Sequence, residues 1–80
     1  MDQVLEQLRE QAGLGTACGS LANELLVITD QYQSGQIAKE DFQYLIQQVA
    51  EVKAANELAN DEIAARFIYE AATTLISAFA

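Results

Sequence analysis

The sequence predicts an all-α fold, a small bundle of three to four helices with a glycine-rich hinge after the first. Three observations carry that prediction. Phe42, Leu45, Ile46, Val49 and Val52 recur at the three- and four-residue spacing of a helix face rather than the alternation of a strand. Short polar or glycine-containing breaks separate the periodic segments, and no proline interrupts any of them. One domain spans 1–80, with helices expected over 2–12, 17–33, 38–59 and 61–79.

In the first helix Asp2 is the expected cap. Val4, Leu5, Leu8 and Ala12 fall on one side and Glu6, Gln7, Glu10 and Gln11 on the other. A helix this short is marginal alone in water, so it must dock on the rest of the chain or on a neighbour. The run Gly13-Leu14-Gly15-Thr16-Ala17-Cys18-Gly19-Ser20 follows. It is no phosphate loop, because no apolar strand precedes it and no Gly-Lys-Ser/Thr follows. The Gly15–Gly19 spacing, with Thr16 and Ser20 alongside, instead lets two helix backbones approach closely. Cys18 reads as a small buried hydrophobe in that crossing. A cysteine nucleophile normally needs a nearby base, usually histidine, and the chain has none.

Thr16 or Ser20 starts the second helix, whose stripe is Leu21, Leu25, Ile28 and Tyr32. Leu26 and Val27 widen the apolar surface beyond one face and predict contacts on two sides. Ser34-Gly35-Gln36 ends it, since Gly reaches positive φ without a Cβ clash. Ile37 then folds back onto the core, and Lys39-Glu40-Asp41 opens the third helix with two acids in its first turn. Ala38 stands where Ser or Thr would usually cap. The third helix is expected to continue unbroken through the Ala-rich Lys53–Ala59 segment.

Asn60 is the expected cap of the last helix, with Asp61 and Glu62 in its first turn. Ile63, Phe67, Ala71, Leu75 and Phe79 follow at spacings of four, with Ala64, Ile68, Ala72 and Ile76 beside them. No charge follows Glu70. So apolar a tail calls for burial within the domain or insertion into a partner.

The loop from Asp30 resembles an EF-hand in part. Gly35 takes its sixth position, Ile37 its eighth and Asp41 its twelfth, with Phe42 after it. The sequence departs at Tyr32 and Ser34, where Asp or Asn would supply oxygens, and at Asp41, where a bidentate Glu is usual. Those departures leave too few oxygens for calcium, and no cofactor is expected. The same Gly-x-Ile turn before an acidic, aromatic helix start also resembles the helical hairpins of small bacterial and bacteriophage proteins. That likeness covers about a quarter of the chain and implies a virion or assembly component.

A net charge of −8, from 12 acids and 4 bases, excludes the counterion-releasing surface on which direct nucleic-acid binding relies. It also disfavours an anionic membrane. No window has the roughly 20 apolar residues of a membrane span. The opening MDQVLEQLREQ lacks the basic start and apolar run of a secretory leader, and a single Cys suits a reducing compartment. A cytoplasmic location is expected, or a virion if the chain is phage-encoded. Without histidine and with one Cys, the common acid–base and metal chemistries have no residues to use, so no enzyme is expected.

The expected function is that of a non-catalytic structural, assembly or adaptor protein acting through helix–helix contacts, with itself or a larger complex. An acidic decoy for a basic protein and a degenerate EF-hand-like peptide-binding module are the alternatives. Leu26, Val27, Phe67, Ile68, Leu75 and Phe79 are the expected partner contacts, because their apolar surface exceeds what one small core can use.

Overall fold

A computed structural model describes residues 2–79. The capping role expected of the Asp2 side chain falls outside that description. The elements are α1 (Asp2–Ala12), α2 (Ala17–Gln33), α3 (Lys39–Gln48), a π-helical turn (Val49–Lys53), α4 (Ala54–Glu57) and α5 (Glu62–Phe79). Among the described residues there is no strand, and the fold is a small all-α bundle. The segment 39–57 runs as one rod, and α2 and α5 pack against it and each other. α1 packs mainly along α2, with only a narrow edge against α5.

The turn chemistry follows the residues. The Thr16 hydroxyl accepts from the Gly19 backbone N–H at 2.9 Å and caps α2. Gly15, with φ +68°, reverses the chain between α1 and α2. Gly19 serves a different purpose, close approach. A Cβ built on it would stand 2.3 Å from the Gln11 carbonyl oxygen at the end of α1. The α1–α2 crossing therefore needs a glycine there.

At the end of α2, the Gln36 N–H donates to the Gln31 carbonyl at 2.9 Å and the Gly35 N–H to that of Tyr32 at 3.1 Å, with Gly35 at φ +81°. This is a Schellman closure. It leaves Asp30 inside α2 and Asp41 in the first turn of α3. Ala38 holds the N-cap backbone of α3 with no side-chain bond.

The π turn corrects the expected stripe of the third helix. The Ala54 N–H donates to the Val49 carbonyl five residues back, so one extra residue enters that turn. Val52, expected on the inner stripe, is thereby rotated outward and left 46% exposed, while Ala54 and Leu58 take the buried positions. The start of α5 is also corrected. Asp61 rather than Asn60 is the cap, its Oδ1 accepting from the Ala64 N–H at 3.0 Å.

The core joins Leu8 of α1 to Leu21 and Leu25 of α2, Phe42, Ile46 and Val49 of the rod, and Ile68 and Leu75 of α5. Tyr32 stacks on Phe42 with ring centroids 4.5 Å apart, and Phe79 meets Phe42 edge-on at 6.1 Å. The Tyr32 hydroxyl donates to the Phe79 carbonyl at 3.2 Å. Those contacts tie the far end of α5 to the α2–α3 hairpin. Thr29, the one buried polar residue among those described, donates to the Leu25 carbonyl at 2.8 Å. The accessible surface is 4877 Å². A compact monomer of this mass exposes about 4,700 Å².

Candidate functional site

The six expected contact residues lie in different settings. Ile68 and Leu75 have no exposed surface and belong to the internal core. Phe79 is half-buried, and its ring packs on Phe42 within the chain. Leu26 is half-buried against the core and Val27 is 46% exposed, but both lie on α2, away from the seam described below. Of the six, Phe67 lines both clefts described next. The reason is helical drift. Spacings of four advance each residue about 40° beyond a full turn, so Ile63 and Leu75 lie about 120° apart around α5. Burial of Leu75 leaves Ile63 outside, 85% exposed.

Two clefts beside α5 share Phe67, one on the α1–α5 seam and the other bounded by the end of α1, the start of α2, the end of α4 and α5. One, of about 370 Å³, lies between Gln3, Val4 and Gln7 of α1 and Glu70, Ala71 and Thr74 of α5. The other, of about 460 Å³, has an apolar floor of Cys18, Leu58 and Ala64. Ile63 and Gln11 stand at its sides, with the carboxylates of Glu57 and Asp61. Together they form a furrow. Its α1 wall carries Gln3, Gln7 and Gln11 at spacings of four, one amide per turn on one face. Its α5 wall carries Ile63, Phe67 and Glu70. Three acids line it; no Lys or Arg does.

The Cys18 thiol is buried in the floor, and burial, with the nearby Asp61 carboxylate, pushes its pKa above the ordinary 9.0. Both causes oppose the thiolate that a nucleophile or metal ligand requires. Among the described residues, no three His, Cys, Asp or Glu side chains converge as metal ligands. None of the described helices is long and apolar enough to cross a membrane.

The sequence held a partial signal for this site, the four-residue spacing of the glutamines, but those residues read as an ordinary solvated face. Their pairing with Ile63 and Phe67 depends on where α1 lies against α5. Comparison with protein-family models, curated proteins and solved structures gives no match.

Proposed function

We propose that this chain is a non-catalytic adaptor or assembly module that receives a helix of another protein in the α1–α5 furrow. The observation that supports this most is Ile63. A large aliphatic side chain 85% exposed, one turn from the half-buried Phe67, leaves apolar surface on a chain whose core is otherwise complete. Helix-in-groove recognition uses such an arrangement, with apolar anchors entering between two helices. The resemblance of the α2–α3 hairpin to small bacterial and bacteriophage proteins extends the proposal to a virion or its assembly intermediate. The acidic-decoy alternative draws on the same surplus of carboxylates, but the acids are distributed over several helices rather than gathered in a ridge.

Selection of a displayed library of helical peptides against the chain tests this reading. Enrichment of apolar-striped sequences that lose affinity for Ile63→Ser is the expected result. If nothing is enriched, or the selected peptides bind the parent and Ile63→Ser alike, the furrow is not a helix-docking surface.

A further inference from the structure

Resting on that reading, we propose that the furrow's occupant is an amphipathic helix of a different protein, its apolar stripe flanked by Lys and Arg. The geometry sets the shape. From Ile63 to Thr74, α5 offers about three helical turns, roughly 16 Å at 1.5 Å per residue. The facing wall of α1 leaves space because α1 touches α5 only along a narrow edge. Phe67, shared by both clefts, stands on the α5 wall where the two meet, so successive anchors of an apolar stripe can enter on either side of it.

The charge sets the partner. Glu57, Asp61 and Glu70 are all exposed along the furrow, and neither cleft is lined by a base. Lys53 is engaged elsewhere, donating to Glu24 across the α2–rod interface. Arg66 borders the furrow, lining a small cavity with Ile63 and Glu62 and lying one helical turn from Glu70, so the acids around it outnumber this base. The Asp61 Oδ1 that caps α5 leaves its second oxygen free to accept from a partner. The amides of Gln3, Gln7 and Gln11 donate and accept equally, so they orient a polar flank without selecting its charge. Selection falls to the carboxylates, in a field set by a net charge of −8 that draws in cationic helices. A second copy is the poorer occupant. In a two-fold dimer the same patch meets itself, setting these carboxylates against their own copies.

The test uses the full chain and a fluorescein-labelled synthetic helix of about 15 residues, roughly 22 Å long. Its Leu residues are spaced by three and four, and Lys lies on both flanks. Companion peptides carry Gln or Glu in place of Lys. Anisotropy titration at low salt is expected to show the Lys peptide binding about tenfold tighter than the Gln peptide, with the Glu peptide weaker still. Ile63→Ser is expected to weaken the Lys peptide about tenfold. A combined Glu57→Gln, Asp61→Asn, Glu70→Gln variant, which keeps a capping oxygen at position 61, should bring the Lys and Gln peptides to near parity.

If the Gln or Glu peptide binds as tightly as the Lys peptide and Ile63→Ser still weakens it, the basic partner is overturned while helix docking stands. If no peptide binds, both fall. If the Lys peptide binds but ignores Ile63→Ser, its site is not the furrow and the inference fails. Light scattering that finds a dimer, dissociated by Ile63→Ser, would give the site to a second copy and overturn the inference equally.

Discussion

Replacing Gly19 with alanine tests the α1–α2 crossing through the sign of its effect. An alanine inside a helix is favoured over glycine by about 1 kcal/mol, and Gly19 lies in the first turns of α2. Were the position open, Gly19→Ala would stabilise. Here the added Cβ would fall 2.3 Å from the Gln11 carbonyl oxygen and 3.2 Å from its carbon. Relief requires a shift of about 1 Å by backbone, since ordinary Cβ contacts begin near 3.4 Å. The Gln11 carbonyl is not free to turn aside, because it accepts from the Leu14 N–H at 3.1 Å. Overpacking of this kind costs about 1–3 kcal/mol, and the strained turn bond adds about 1 kcal/mol. After the propensity gain, a net loss of about 2 kcal/mol remains. For a chain of this size that lowers the melting midpoint by about 10 °C. Urea unfolding followed by helical circular dichroism measures the change, and Cys18 alkylation should quicken as α1 lifts. Gly13→Ala is the control, its Cβ in ordinary contact at 3.6 Å with the Glu10 carbonyl; it should cost nothing and can gain about 0.5 kcal/mol. A Gly19→Ala variant stabilised by about 1 kcal/mol would refute the close crossing.

Ile68→Asp places a carboxylate at a position with no exposed surface. Total stability for a chain this size is about 4–12 kcal/mol, so helical dichroism should collapse, whereas Val27→Asp should stay within about 0.5 kcal/mol of the parent. Tyr32→Phe keeps the stack on Phe42 and loses only the 3.2 Å bond to the Phe79 carbonyl; urea titration should register a loss of about 0.5–1 kcal/mol. Ala38→Ser supplies the side-chain acceptor that the α3 N-cap lacks, at a backbone already in cap geometry, and should stabilise by about 1 kcal/mol in the same assay. The Cys18 thiol holds its proton to higher pH in the folded state than in the unfolded. Above the unfolded value the unfolded chain therefore binds fewer protons, and stability falls as pH rises through about 9 and beyond. Cys18→Ala should remove that part of the alkaline loss in a pH series of urea midpoints.

Local order was legible where a residue's neighbours in sequence settle its state. Gly35 ends α2 because only a residue without Cβ takes φ +81° easily, and Asp41 sits where an acid favours a helix start. Phe42 and Ile46 share one face at a four-residue spacing, and both are fully buried. Val52 defeated the same reasoning. Periodicity assumes one uniform winding, and the π turn changes that winding within the helix.

The sequence by itself determined that the chain is helical, where its breaks fall, and that it carries a net charge of −8. These follow from spacing, turn chemistry and charge, which act over a few residues or over the whole chain. Tertiary structure alone decided which apolar residues were spare. Ile68 and Ile63 are the same side chain on one helix five residues apart, yet one has no exposed surface and the other is 85% exposed. Their helix offers more apolar surface than a small core can cover, so burial depends on where the rod, α2 and α1 come to rest. The furrow has the same origin, because α1 gives most of its contact to α2 and leaves its seam with α5 open.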